Sequence, residues 1–318
     1  MWILGSSFKE LTGFYSLALA IILSFASWSN TPTQALLVLF VMVALESAHT
    51  YASIPRYFCL NKESAPTRAS LMMMAIVFFI SIFSWCFSGV GYFWRALIYL
   101  SALHHIIQVI GIYKVSCRLN QFDSKKLMPY VWLLSLLPFI GYHFRSIPNY
   151  QPFFADTEIF FIPSSTGLMV VWAILIMLIM SFIYQLKSKP FPVPVLTTII
   201  APSCLYTFCF LIVENFYLSF LPLFAYHACS YIQLSYQEVK QSFTLSRTKR
   251  VLAIALPCIV FGGFEIWFLE TWVDILPSKQ YSANIPFSLA IAALITPSLV
   301  HYYFDGFVWL RSRHLAKP

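Results

Sequence analysis

Charged residues are scarce in this sequence. Asp, Glu, Lys and Arg make up 10% of its 318 residues, whereas hydrophobic residues make up 59%. Soluble domains contain about 25% charged residues, so water cannot solvate most of this chain's surface. This balance excludes a disordered tail, a secreted disulfide scaffold and a cytosolic enzyme. Together with a mean hydropathy of +0.75, it predicts a multi-pass membrane protein.

Several familiar sequence motifs are absent as well. The seven cysteines form no CxxC pair, and most lie in apolar segments, where they are predicted to be small apolar fillers. The sequence contains no Walker or GxGxxG loop, no low-complexity run and no convincing internal repeat. Any indication of function must therefore come from the few polar residues inside the apolar segments.

The apolar segments predict an all-α fold, a polytopic transmembrane bundle of about ten helices. Each crossing needs about 20 residues, so the chain leaves no room for a soluble domain, and residues 1–318 are predicted to form a single integral membrane domain. The predicted helices lie at 11–28, 33–54, 70–89, 92–114, 128–146, 166–186, 194–213, 215–236, 250–270 and 284–310. Only Glu214 and Asn215 separate the seventh from the eighth. This pair could instead be re-entrant or one bent unit.

The distribution of basic residues supports this topology. With both termini in the cytoplasm, 17 of the 20 Lys and Arg residues fall on inner segments, and only Arg95, Arg145 and Lys279 fall on outer ones. This is the bias of the positive-inside rule. The net charge of +8 then follows from topology and attraction to anionic lipid, so membrane lipid is the predicted partner and no nucleic acid is required. The predicted location is a bacterial inner membrane.

Five of the seven histidines lie on predicted helices that cross from the outer to the inner face. They are on the second, fourth, eighth and tenth helices: His49, His104, His105, His227 and His301. These four helices run in the same direction, and counting from their basic inner ends places the imidazoles roughly 9 to 16 Å above the inner boundary. A single intramembrane histidine is often a hydrogen-bonded packing residue. Four helices that present imidazole at one depth favour a shared functional site.

Three other polar residues lie near these histidines on the same helical faces. Glu46 precedes His49 by three residues, and Asp305 follows His301 by four. Gln108 follows the histidine pair of the fourth helix by three or four positions. Carboxylates and amides at such spacings can orient a metal-binding imidazole through its second nitrogen.

The remaining charged groups have simpler interpretations. Glu214 and Glu265 are predicted to lie toward the outer side, far from the histidines, where they cap helices or face water. The inner segment from Arg56 to Arg68 is interpreted as a solvated topology loop, although it could bind a phosphate head group.

A resemblance to known proteins is carried by four short motifs. They are His49-Thr50, His104-His105-x-x-Gln108-x-x-Gly111, Tyr226-His227 followed by Tyr231-x-Gln233, and His301-Tyr302-x-x-Asp305-Gly306-x-x-Trp309. This set resembles a group of uncharacterised bacterial multi-pass proteins. More loosely, it is similar to the Brp/Blh-type carotene dioxygenases, whose histidines are thought to hold one iron that cleaves a polyene with dioxygen. The Pro-His-Gly segment of that family and the histidine boxes of desaturases are absent, so the resemblance implies a histidine-bound metal rather than a particular reaction.

The sequence thus predicts a membrane-embedded, metal-dependent oxidoreductase that acts on a lipophilic small molecule. The predicted metal ligands are His49, His105, His227 and His301. His104 could replace His105, because adjacent helical residues point about 100° apart and only one can face a given centre. Asp305, Gln108 and Glu46 are the predicted catalytic residues, which orient ligands or handle protons. Imidazole ligation favours iron, with zinc, copper and haem as alternatives.

Two other classes of function remain open. The same polar groups could form the proton or substrate path of a transporter, although the ten glycines and the lack of a repeat weigh modestly against it. The histidines could also pin helices together in a structural protein. No oligomeric state is predicted.

Overall fold

The computed structural model describes residues 1–24, 32–59, 66–87, 92–146, 159–188, 190–273 and 285–311. Every regular element in these ranges is helical, which confirms the predicted all-α class. The α-helices are α1 (Ser7–Ser24), α2 (Pro32–Tyr51), α3 (Ser53–Cys59), α4 (Arg68–Phe87), α5 (Tyr92–Leu119), α6 (Met128–Tyr142), α7 (Ser165–Ser188), α8 (Val193–Thr207), α9 (Phe216–Ser242), α10 (Arg247–Val273) and α11 (Ile285–Arg311). A 3₁₀ turn (Ser124–Lys126) precedes α6, and a π-helical segment (Phe208–Ile212) follows α8.

Within the described ranges, four stretches are long and apolar enough to cross a membrane. They are Arg68–Cys86, Arg95–Leu119, Ser165–Lys187 and Val193–Ile212. Large apolar side chains on α4 and α7 face outward, with Met72 66% and Met177 62% exposed. Such surfaces suit lipid and not water and are typical of a membrane protein.

The predicted second helix, 33–54, is divided in the structure. Helix α2 ends at Tyr51, and the seven-residue α3 begins at Ser53. Pro55 explains the break, because it has no N–H to continue the ladder and its ring would clash with the carbonyl of Tyr51. At the break, the Ser53 hydroxyl donates a hydrogen bond to the backbone oxygen of Thr50 at 2.6 Å. In α3, Pro55 and Arg56 are buried.

The closely spaced seventh and eighth predicted helices are two separate helices. The Asn215 side chain caps α9 by accepting a hydrogen bond from the backbone N–H of Leu218 at 3.1 Å, as is typical of an N-cap. On the other side of the break, Arg145 donates hydrogen bonds to the backbone oxygens of Phe210 and Val213 at 3.0 and 2.6 Å. These bonds satisfy carbonyls that the helix end leaves without partners.

The buried apolar residues of the described ranges form two clusters. The larger cluster joins residues of α1, α2 and α5 to α10. The smaller one consists of Ile82 on α4 with Ile291, Ala292 and Leu299 on α11. Helices α4 and α11 therefore form a pair that packs on its own small core beside the main bundle.

Close packing of α6 depends on a glycine. A Cβ atom at Gly141 would lie 2.6 Å from Leu211 Cδ2 and 3.0 Å from Val171 Cγ1. We expect Gly141→Ala to destabilise the protein by about 1–3 kcal/mol, the usual effect of overpacking. Gly263→Ala is the matched control, because a Cβ there meets nothing within 4 Å. Thermal unfolding in detergent would contradict the prediction if both variants kept the wild-type midpoint.

Candidate metal centre

Four buried histidines from four helices converge at one point. They come from α2, α5, α9 and α11: His49, His104, His227 and His301. At most 4% of any of them is exposed, and one ring nitrogen of each lies within 4.8 Å of those of the other three. Segments separated by up to about 250 positions in the sequence thus bring their imidazoles together, as the common depth predicts.

The ring arrangement fits a single ion. With metal–nitrogen bonds of about 2.0–2.1 Å, ring centroids lie about 3.2 Å from the ion, so rings at right angles are about 4.5 Å apart and opposite rings about 6.4 Å. The His49 ring lies 4.4 Å from His227 and 4.6 Å from His301, with steep interplanar angles of 73° and 81°. His49 and His104 are 6.1 Å apart. The Nε2 atoms of His49 and His227 are 3.0 Å apart. These distances are those of neighbouring and opposite ligands around one centre.

Several nitrogen atoms at this point have no hydrogen-bond partner among the described residues. They include Nε2 of His104 and both ring nitrogens of His301. Buried polar atoms in proteins are normally paired, and exceptions require an explanation. A metal ion would take one nitrogen of each ring as a ligand, so the residues present fit such an ion.

Asp305 lies directly beside the four histidines. It is fully buried, and its Oδ2 atom is 3.6 Å from His301 Nε2 and 3.9 Å from His104 Nε2. These distances exceed hydrogen-bonding range. Its other oxygen, Oδ1, accepts a hydrogen bond from the Tyr231 hydroxyl at 2.9 Å. Tyr231 therefore holds the carboxylate so that one oxygen faces the histidines.

Arg56 adds a buried cation on the far side of Asp305. Its Nε and Nη2 atoms donate hydrogen bonds to the two carboxylate oxygens of Glu238 at 2.7 and 2.9 Å. The guanidinium also lies 4.8 Å from the Tyr231 ring centroid and 3.9 Å from Asp305 Oδ1. The interpretation of Arg56 as a solvated loop residue is wrong, because its exposed fraction is 0%. The division between α2 and α3 brings it into the interior.

Gln108 contacts the site through the backbone. Its Nε2 atom donates hydrogen bonds to the backbone oxygen of His227 at 2.9 Å and to the Ser230 hydroxyl at 2.7 Å. It therefore joins α5 to α9 at the level of His227, and neither of these bonds is to an imidazole nitrogen. Its place beside the site agrees with the sequence pattern, but its contact is to the helix that carries His227.

Glu46 and His105 form a second group with His227. One ligand atom of each lies within 4.8 Å of those of the other two. Glu46 Oε1 accepts a hydrogen bond from the Tyr302 hydroxyl at 2.9 Å. Both members of the histidine pair thus reach the site: His104 joins the four-histidine group that was expected to contain His105, and His105 faces Glu46.

An apolar cavity of about 230 Å³ adjoins this second group. Aliphatic and aromatic side chains from helices of both apolar clusters form most of its wall. Its polar lining includes Glu46, His105, Tyr302, Ser47 and Glu265. An apolar molecule in this cavity would therefore lie against the carboxylate and imidazole of the second group.

Glu265 lies inside this region. It accepts hydrogen bonds from the hydroxyls of Ser47 and Tyr51, and its exposed fraction is 8%. The expectation that it lies far from the histidines and caps a helix or faces water is therefore wrong. Its position depends on the packing of α10 against α2, which the local sequence pattern does not reveal.

Comparison of the chain with protein-family models, with curated proteins and with solved structures finds no match. The similarity to the Brp/Blh-type dioxygenases therefore remains a prediction from short motifs.

Proposed function

We propose that this protein is a membrane-embedded, metal-dependent enzyme, an oxidoreductase that acts on a lipophilic small molecule. The observation that carries the proposal is the convergence of four buried imidazoles from four helices next to an apolar cavity. Polar groups are costly within a membrane, and they tend to be kept there for function. Here they stand beside a space that suits an apolar substrate.

The donor set favours particular metals. Nitrogen ligands suit iron, zinc or copper, whereas magnesium and calcium prefer oxygen. A haem iron takes four of its six ligands from the porphyrin and accepts at most two imidazoles, whereas four converge here. This argues for a non-haem ion. We propose iron, because an apolar substrate without a hydrolysable bond is most readily altered by oxidation.

The surrounding residues have distinct proposed roles. Asp305 would orient His301 and His104 or complete the coordination of the ion, since its Oδ2 atom lies 3.6 and 3.9 Å from their Nε2 atoms. Glu46 would bind or move protons at the cavity wall, where Tyr302 holds its carboxylate. The proposed setting is a bacterial inner membrane, with both termini in the cytoplasm.

The proposal is tested by metal analysis of the protein purified in detergent. We expect at least one equivalent of a transition metal per chain by mass spectrometry, with iron predominant, and an optical spectrum without haem bands. Protein without metal, whose unfolding temperature is unchanged by added Fe²⁺, Zn²⁺ or Cu²⁺, would refute the proposal. That result would favour the transporter or structural alternatives, in which the histidines relay protons or pin helices.

A further inference from the structure

We propose that the site holds two metal ions, and that Glu46 and His105 bind the second one beside the four-histidine ion. The inference rests on the proposed function, because it assumes that the four histidines hold the first ion. It differs from that proposal in assigning a separate metal position to the residues at the cavity wall.

The orientation of the His105 ring separates His105 from the first ion. This ring stacks on the His227 ring with a centroid distance of 3.8 Å and an interplanar angle of 20°. An imidazole binds a metal in the plane of its ring, along the nitrogen lone pair. Two nearly parallel rings stacked in this way cannot both point at one ion. His227 meets His49 edge to face, with a nitrogen separation of 3.0 Å, so His227 belongs to the first ion and His105 does not.

Within the described ranges, Glu46 and His105 each have a buried side-chain atom without a hydrogen-bond partner. Among the described residues, neither His105 Nε2 nor Glu46 Oε2 has one, and both atoms are buried. The Glu46 oxygen lies 3.5 Å from His49 Nδ1 but forms no hydrogen bond with it. An imidazole nitrogen of His105 and a carboxylate oxygen of Glu46 lie within 4.8 Å of each other, which is close to the separation of two ligand atoms that share one ion with bonds of about 2.0–2.2 Å.

The cavity wall carries negative charge. Two carboxylates, Glu46 and Glu265, line the same cavity. Within the described ranges, no ion pair joins a Lys or Arg to Glu46 or Glu265. The buried Arg56 pairs with Glu238 and Asp305 instead. A negative charge in an apolar cavity is stabilised by a nearby cation. A second divalent ion would supply that positive charge next to Glu46.

The two positions differ in access. Four protein nitrogens surround the first ion, whereas Glu46 and His105 leave the second with free coordination positions that face the cavity. Ions that bind a substrate keep an open coordination position. Paired ions in two-metal sites lie about 3.5–4 Å apart, and His227 lies beside both groups of ligands. A molecule in the cavity would therefore contact the second ion.

The test is metal stoichiometry in the full-length protein. Protein depleted of metal and reloaded with Co²⁺ should bind two equivalents per chain in the wild type and one in His105→Ala and Glu46→Gln. His143→Ala is the matched control, because His143 bonds to Tyr99 and the Phe139 carbonyl outside the site and should keep two equivalents. The near-isosteric Glu46→Gln guards against loss of folding in the alanine variant. Paramagnetic resonance should show magnetic coupling of two Co²⁺ ions in the wild type and in His143→Ala, but not in His105→Ala or Glu46→Gln.

The outcomes separate the two proposals. A wild type with one equivalent overturns the second ion and leaves the proposed function in place. A wild type with none overturns both. Two equivalents in all variants would assign the second ion to other residues and overturn the role of Glu46 and His105.

Discussion

Replacing His301 with alanine is expected to lower the affinity for the first metal ion by more than about 100-fold. Loss of a residue that only supports a metal ligand costs about 10–100-fold in affinity, and His301 is itself one of the four converging imidazoles. Both of its ring nitrogens lack hydrogen-bond partners among the described residues, so the substitution breaks no hydrogen bond. Equilibrium dialysis against buffered Zn²⁺ or Fe²⁺ would measure the change.

Two variants make this result specific. His143→Ala removes a histidine that lies outside the site and should keep wild-type affinity. His301→Cys should retain more metal than His301→Ala, because a thiolate is also a ligand for these metals, and its charge-transfer absorption would report the new bond. The prediction fails if His301→Ala binds metal as tightly as the wild type.

Replacing Arg56 with methionine is expected to destabilise the protein by about 3–5 kcal/mol, the usual effect of breaking a buried ion pair. The side chain has no exposed surface. Its loss leaves the Glu238 carboxylate buried without its two hydrogen bonds, and removes the guanidinium that lies 3.9 Å from Asp305. The change should appear as a large fall in the unfolding temperature in detergent.

A double variant isolates the cause. Arg56→Met combined with Glu238→Met removes both charges, and apolar replacement of an intact buried pair is often nearly neutral. We therefore expect the double variant to be more stable than Arg56→Met alone. Arg68→Met is the control for loss of a basic residue, because Arg68 is exposed at the start of α4. An unchanged midpoint for Arg56→Met would show that the ion pair does not support the fold.

The members of the four-histidine group could largely be predicted from the sequence, because polar residues are rare within the helices. His49, His227 and His301 stand alone in apolar segments at comparable depths, and the structure brings them together. The choice between His104 and His105 could not be predicted. Which of two adjacent side chains faces a neighbour depends on the rotation of α5 about its axis, and packing against other helices sets that rotation.

The residues around the four-histidine group, Arg56 and Glu265, were harder to predict. Arg56 lies among basic residues that also mark an inner loop, and only Pro55 indicates that α2 ends just before it. Glu265 meets Ser47 and Tyr51 across more than 210 positions of sequence. Such pairings depend on which helices become neighbours, and hydrophobic patterns along one helix do not contain that information.

The division of the apolar interior into two clusters has a consequence for the way the site works. Three of the four histidines stand on helices of the larger cluster, and His301 stands on α11, which packs with α4 on the smaller one. A bound ion would therefore add a removable cross-link between α11 and the larger cluster, beside the hydrogen bonds of Asp305 with Tyr231 and of Tyr302 with Glu46. Side chains of α11 and of the larger cluster line the cavity together, so a molecule that entered by separating them would strain the bonds from His301 to a bound ion. Metal retention and entry of that molecule would then be thermodynamically coupled: separation of α11 would weaken metal binding, and the ion would oppose the separation by the same free energy.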